Sequence, residues 1–271
     1  SDYKALKLDE YDSEELWKLK LPSDEWHTVR KIRLTASDAA KAGGVSTYCK
    51  FNKFLNSKVE GGVVSAAMNR GLKDEPRIKD LYVKHLEVCD LYSIFPFSLD
   101  CWLIIRCILL QENGNATVKL EKGGFIVHPQ HPHLAASYDY IQTEPEQKVI
   151  EIKSRSRLTE SSNGDLTADE RWQAIMQLAI WVASGRSTSQ QPKAVIVMAN
   201  LKPDKPVVKI HELVWDDMLQ QEWQLQILIP LHACYAAQLL PVLVSREVMD
   251  GELTPYAQRE RSSSQPPSPP T

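Results

Sequence analysis

The spacing of apolar and polar residues changes character along the chain, from helical to strand-like and back to helical. Ser13 stands before Glu14-Glu15-Leu16-Trp17 and Ser23 before Asp24-Glu25-Trp26. A hydroxyl followed by acids in the first turn predicts a helix start at each. Ala36-Ser37-Asp38-Ala39-Ala40 predicts a short helix closed by Gly43-Gly44. A helical pattern runs over 65–88, and Pro76 requires a break or kink in it. Apolar runs then predict strands over 102–110, 116–120, 125–127, 134–142 and 149–153, with turns at Asn113-Gly114-Asn115 and Gly123-Gly124. Residues 169–183 read as an amphipathic helix, 194–198 and 207–213 as strands, and 215–240 as mainly helical with a break around Pro230. There is no internal repeat. Helices before, inside and after a run of strands predict an α/β fold with a central mixed sheet.

Composition bounds this picture without choosing a function. A chain of 271 residues with 43% hydrophobic positions can bury one substantial core. The net charge of -3 does not mark a nucleic-acid binder. Yet Arg30, Lys31, Arg33, Lys41, Lys50, Lys53 and Lys58 fall in one early stretch with few acids, and a local basic surface attracts phosphate whatever the global sum. Cys49, Cys89, Cys101, Cys107 and Cys234 are odd in number and lack C-x-x-C spacing, which argues against a disulfide framework and a zinc site. An intracellular, reducing compartment is the expectation. The most apolar stretch, 91–110, is interrupted by Pro96, Asp100 and Arg106 and reads as two buried strands, so no run long enough to cross a bilayer is expected. The chain begins Ser1-Asp2-Tyr3 without a basic-then-apolar leader, as expected of a fragment or a trimmed product. Its Pro/Ser-rich end cannot bury enough apolar surface to order itself. The expected organisation is a helical extension over 1–22, one domain over 23–248 and a disordered tail over 249–271.

The chemistry is concentrated in two short segments. His133-Leu134-Ala135-Ala136-Ser137-Tyr138-Asp139 puts a carboxylate at the end of a strand, and Val149-Ile150-Glu151-Ile152-Lys153 follows. Side chains alternate along a strand, so Glu151 and Lys153 leave one face while Ile150 and Ile152 enter the core. Asp139 and Glu151 can hold a hard divalent cation through oxygen, and Lys153 can reach a water beside it. Taken alone, either segment reads sooner as an amphipathic strand with polar ends in water.

Four blocks in order make the sequence resemble the PD-(D/E)XK nuclease superfamily, and within it the lambda exonuclease or YqaJ-type viral recombinase (alkaline exonuclease) group. Trp26-His27-Thr28-Val29-Arg30 with Leu34-Thr35-Ala36-Ser37-Asp38 is similar to its W-x-x-x-R and I-T-A-S-E. Arg70-Gly71 through Glu75 to Tyr82 is similar to its R-G-x-x-x-E and following Tyr. Gly124-Phe125-Ile126-Val127 through Pro132 and Asp139 to Glu151-Ile152-Lys153 is the third block, and Trp172 to Gly185, with Gln177 and Trp181 inside, is the fourth.

The resemblance implies a restriction-endonuclease-like α/β/α core and a Mg²⁺-dependent deoxyribonuclease, with Mn²⁺ able to substitute. Asp139, Glu151, the Ile152 carbonyl and Glu75 would form the metal shell, Lys153 would orient the attacking water, and Gln177 would bridge the lysine and substrate. Arg30 and Ser37 would bind the 5′-terminal phosphate; read locally, Ser37 could equally cap its helix and Arg30 pair with Asp38. Degradation of duplex DNA from 5′ to 3′ in recombination or DNA processing is the implied activity, with a trimeric ring and a single-strand annealing protein as implied partners and no membrane. A structure-specific endonuclease, an RNA-cutting nuclease and an inactive nucleic-acid-binding protein on the same core are the alternatives. The chain departs from the family's pattern at Tyr138 (usually Pro), at Tyr140 (usually Gly) and at Ile175, where close members carry a first glutamine. His128, His131 and His133 straddle two prolines in an expected loop and read as structural, as do Trp172 and Trp181 as core.

Overall fold

The computed structural model describes residues 13–19, 23–60, 65–94, 118–202 and 206–250, without the side chains of 87–94 and 246–250. The expected strand over 102–110, the turn at Asn113-Gly114-Asn115 and the tail after residue 250 lie outside the described residues.

Helices α1 (Ser13–Trp17) and α2 (Asp24–Lys31) begin where their serines predict, and the Ser23 hydroxyl accepts from the Trp26 N–H at 3.2 Å. Strand β1 (Leu34–Thr35) leads into a 3₁₀ turn at Ala36–Asp38 and helix α3 (Ala39–Ala42). Helix α4 (Phe51–Glu60) was not expected from the sequence. Of the break or kink expected at Pro76 there is no break, since helix α5 (Ala66–Ile94) runs through it, and the helix takes in Leu91–Ile94, the start of the stretch read as strand. The carbonyl that Pro76 leaves without a donor belongs to Leu72, which is exposed, so water can serve it.

The strands are β2 (Lys119–Lys122), β3 (Phe125–His128), β4 (His131–Ser137), β5 (Tyr140–Glu144), β6 (Lys148–Ser154), β7 (Lys193–Asn200) and β8 (Val207–Val214), with helix α6 (Ala168–Ala183) between β6 and β7. They form a mixed five-stranded sheet in the order β2-β5-β6-β7-β8, in which only β6 and β7 are parallel. A three-stranded sheet, β1-β4-β3, completes the set. Helix α5 covers one face of the larger sheet, where Ile78 and Tyr82 pack on Ile150, Ile152, Val195 and Val197. Helix α6 covers the other through Trp172, Ile175, Met176 and Ala179. The core is therefore α/β/α, as expected.

The two sheets share one bent hairpin. β2 and β3 face β5 and β4, and pairing persists across the bend through Gly123 N–H to the Asp139 carbonyl (3.1 Å) and Tyr138 N–H to the Gly124 carbonyl (3.0 Å). Gly123-Gly124 is thus a bend inside the ladder, not the expected turn, and the single strand expected over 134–142 is two. A Cβ on Gly123 would lie 2.3 Å from the Tyr138 carbonyl oxygen, and one on Gly124 would lie 2.1 Å from that of Trp17. Only glycine permits both approaches.

Residues 217–250 form one long helical element, α7, that continues through Pro230 without the expected break. Wider π turns at Trp223–Leu228 and Tyr235–Leu239 interrupt its α-helical register, and Pro230 sits in the first turn after one of them, where a missing N–H costs least. The segment Asp217–Ser245 is long and apolar enough to cross a membrane by length and composition, contrary to the sequence expectation. Here Leu219, Trp223, Ile227, Leu231, Tyr235 and Leu239 are buried in the main core.

Candidate active site

Asp139 stands at the bend between β4 and β5, past the end of the ladder that β5 makes with β6. Its Oδ2 accepts the Ile152 N–H at 2.8 Å, a bond that the strand would otherwise give to a neighbour. The N–H and carbonyl of one strand residue share an edge, so the Ile152 carbonyl also opens toward Asp139. Tyr138 anchors the bend: its ring is buried beside Trp17 and Trp181, and its hydroxyl donates to the Gln177 carbonyl at 2.8 Å. The departure from proline is thus a tie between strand and helix.

Glu151 and Lys153 leave the α6 face of β6, as alternation predicts, while Ile150 and Ile152 face α5. Lys153 Nζ lies 2.6 Å from Glu151 Oε1. Gln177 Nε2 donates to Glu151 Oε2 at 2.6 Å and to the Ser137 carbonyl at 2.9 Å. Sequence reasoning missed Gln173, which bonds both Lys153 (2.9 Å) and Glu151 Oε1 (2.7 Å). The four-residue spacing to Gln177 was the available signal, because it places both amides on one helix face.

The electrostatics are those of a carboxylate pair short of positive charge. Burial, then the Glu151 carboxylate and more weakly Glu75, push Asp139 up to about 8 against the Ile152 N–H and Lys153. Burial alone would lower Lys153, but Glu151 and Asp139 hold it above its ordinary value. The donors left to the site are hard oxygens: the second Asp139 oxygen, Glu151 Oε2 and the Ile152 carbonyl. One or two carboxylates with a carbonyl and waters is a donor set that suits Mg²⁺ or Mn²⁺. Among the described residues no three His, Cys, Asp or Glu side chains are grouped to hold a metal, so this set is two carboxylates wide.

Glu75 is not brought into that set. It lies on α5, across the sheet from Glu151, and pairs with Lys122 of β2, while the nearby Lys79 pairs with Asp80. Tyr140 stands between Glu75 and Asp139, with the Lys122 ammonium 4.5 Å from its ring centre. Burial, then Glu75 and Asp139, raise its hydroxyl to about 12.

Arg30 and Ser37 do meet. Arg30 Nη2 donates to Ser37 Oγ at 3.0 Å and to Thr35 Oγ1 at 3.2 Å, and its guanidinium lies 4.3 Å over the Trp26 ring. The local alternatives are corrected: Thr35 with Asp38 forms the capping box, and Asp38 pairs with Lys58 at 2.7 Å. Burial raises Asp38, yet Lys58, Arg30 and Lys41 together hold it well below its ordinary value. Three cations thus share one carboxylate. Burial lowers Lys58 and Arg30, and Asp38 offsets only part of that cost. Trp26 Nε1 donates to Ser137 Oγ at 3.1 Å, and Gln177 holds the carbonyl of the same residue. Ser137 therefore joins the base-rich pocket to the acid-rich centre.

The histidines sit elsewhere. His128, His131 and His133 meet a fourth, His232 of α7, with His131 and His133 ring centres 4.6 and 4.7 Å from it. Burial and mutual repulsion lower His128 to about 4 and His133 to about 3, as in a packed neutral cluster. Trp172 and Trp181 are buried, as expected.

A model of the YqaJ-like viral recombinase domain matches residues 25–186. Among solved structures, an alkaline exonuclease from Laribacter hongkongensis, LHK-Exo, superposes with a TM-score of 0.50 at 18% identity, over 90% of this chain and 100% of that one. The same exonuclease in complex with dAMP gives 0.49 at 17%, over 90% and 100%. A candidate exonuclease from Eubacterium rectale gives 0.38 at 15%, over 93% and 97%. No curated protein matches the sequence. The family match spans more than half of the chain, and the first superposition gives it the alkaline-exonuclease fold. The chain belongs to the YqaJ-like viral recombinase domain family.

Proposed function

We propose that this chain is a Mg²⁺-dependent nuclease that degrades linear duplex DNA from 5′-phosphorylated ends. One observation carries the reading: an acid-rich centre suited to a cation and a base-rich pocket suited to a phosphate meet at Ser137. A phosphodiester end presents groups for both.

Asp139, Glu151 and the Ile152 carbonyl would hold the cation. Glu75, engaged by Lys122, would serve through water. When bound, the cation supplies a Lewis acid that lowers the pKa of water and offsets charge on the phosphate. The chain's own residues do the rest. Lys153, held as an ammonium, donates a hydrogen bond that would orient the attacking water or a phosphate oxygen and stabilise the charge that develops on the phosphate. Gln177 fixes Glu151, and Arg30 with Ser37 takes the terminal phosphate through two-oxygen contacts that a guanidinium suits. The same reading places the protein inside the cell, with a single-strand annealing protein as partner and a trimeric assembly, for which sedimentation should return about three times 30.7 kDa.

The test compares 5′-phosphorylated linear duplex, its 5′-hydroxyl form, closed circular DNA and RNA, each with Mg²⁺ and with EDTA. The phosphorylated duplex should be cleaved fastest, and only with Mg²⁺. Ready cutting of closed circles or of RNA would transfer the reading to an endonuclease or a ribonuclease, and cleavage in EDTA would remove the metal from it.

A further inference from the structure

We propose that Gln173 is a positioning residue for cleavage, acting through Lys153. The proposal deepens the nuclease reading and rests on it. Helix α6 opens with a capping box, Thr167 against Glu170, so its first turn is fixed before Gln173 appears. Trp172, Ala174, Ile175 and Met176 around it are buried, whereas Gln173 points at the end of β6. Ile175, at the position of the family's first glutamine, is fully buried and belongs to the main core.

The Gln173 amide lies between a donor-only and an acceptor-only group. Its Oε1 accepts from Lys153 Nζ at 2.9 Å and its Nε2 donates to Glu151 Oε1 at 2.7 Å, while Lys153 donates to that same Oε1 at 2.6 Å. An ammonium cannot accept and a carboxylate cannot donate, so the amide has one orientation here. Three groups close a ring of hydrogen bonds.

That ring determines what Lys153 can do. An ammonium has three protons in tetrahedral directions. Two are held by Glu151 and Gln173, so the third has one direction. Lys153 is 24% exposed, and that proton is the one left for water or phosphate. With Glu151 as its sole anchor, the ammonium would pivot on its four-carbon stem and the third proton would sweep a cone. Misplacement of a catalytic group by about 1 Å can cost about 100-fold in rate. Gln177 has a separate task, because it touches Glu151 Oε2 and Ser137 but not Lys153.

The test uses the full chain with Gln173→Met, which keeps length and removes both bonds, and Gln173→Glu, which keeps the acceptor for Lys153. On 5′-phosphorylated duplex with Mg²⁺, Gln173→Met should lower kcat by about 30- to 100-fold with KM within about threefold. Calorimetry with Mn²⁺ alone should give affinities within about threefold of wild type for Gln173→Met. In ¹⁵N-lysine spectra the Lys153 ammonium should be visible in wild type and Gln173→Glu and broadened in Gln173→Met. A Gln173→Met enzyme with kcat within threefold of wild type overturns the proposal while leaving the nuclease reading intact. So does an unchanged Lys153 signal in Gln173→Met; Gln173→Glu, whose new carboxylate faces Glu151, is read by its ammonium signal and not by its rate. If wild type cleaves no nucleic acid, the nuclease reading is what fails, and the ammonium spectra still decide whether Gln173 holds Lys153.

Discussion

Asp38 is buried and Asp139 half-buried, both carboxylates are desolvated, and yet their surroundings are opposite. Asp38 is met by Lys58, by the Thr35 N–H and hydroxyl and by the fields of Arg30 and Lys41, and its acidity rises. Asp139 is met by one N–H and faces Glu151, and its acidity falls. Burial by itself therefore says little about role. A desolvated acid surrounded by cations serves the scaffold, whereas a desolvated acid facing another acid makes a place suited to a cation. The contrast extends to each neighbourhood, since the surplus beside Asp38 is positive and that beside Asp139 is negative.

The most severe way to break this comparison is Asp139→Asn. It should lower Mg²⁺-dependent cleavage by about a thousandfold or more, equivalent to about 4 kcal/mol of barrier. It should also raise the melting temperature in EDTA, because the buried repulsion with Glu151 disappears. Lys153→Ala should match the loss of rate but leave Mn²⁺ affinity nearly unchanged by calorimetry, whereas Asp139→Asn weakens it. An Asp139→Asn protein that keeps its rate and melts lower in EDTA would make Asp139 a scaffold residue like Asp38.

Next in size is the other member of the pair. Lys58→Met strands Asp38 in the interior, and breaking a buried ion pair costs about 3–5 kcal/mol. Chemical denaturation at neutral pH should show that loss. Asp38 is held below its ordinary value of 3.8, so its contribution is present above about pH 4 and disappears as pH falls below that. Wild type should accordingly lose more stability than Lys58→Met between pH 4 and pH 2. Parallel curves for the two proteins would show that Lys58 does not carry the difference.

The acid-rich half of this contrast was the more legible in sequence. Period-two alternation put Glu151 and Lys153 on one face, and a strand ending in Asp139 follows from the apolar run before it. The bend at Tyr138-Asp139 was hidden because Gly123-Gly124 has the composition of a turn, and only the approach of Trp17 and Tyr138 shows why both residues lack a side chain. The base-rich half was harder to read. Lys58 looks like one more surface lysine until α4 carries it against Asp38, twenty residues earlier. Helix α4 itself combines Asn, Lys and Ser with a thin apolar stripe, a weak helical signal. His232 joins the histidine cluster from about a hundred residues away, a distance that periodicity cannot span. Gln173 was one helical turn from a residue already singled out, and a pattern centred on position 175 drew attention to the wrong face.

The smallest expected effect is the most discriminating for the positive pocket. Arg30→Ala removes one of the three cations around Asp38 and the one that donates to the Ser37 hydroxyl, whereas Lys41 reaches only the Ser37 carbonyl. The fold should hold, because Lys58 still pairs with Asp38 and the Thr35 cap is untouched. Cleavage of 5′-hydroxyl duplex should therefore stay near wild type, since Asp139, Glu151 and Lys153 are unchanged. What should vanish is the advantage of a 5′-phosphate, about tenfold if the guanidinium makes a charge-assisted pair worth about 1.4 kcal/mol. Higher salt should shrink the wild-type advantage, but less than it weakens binding along the duplex, because the pocket is recessed and screened less than surface lysines are. Equal loss on both ends would instead mean that Arg30 supports Trp26 and Ser137. The positive surplus would then be part of the scaffold, and the two halves of the site would differ in charge but not in kind.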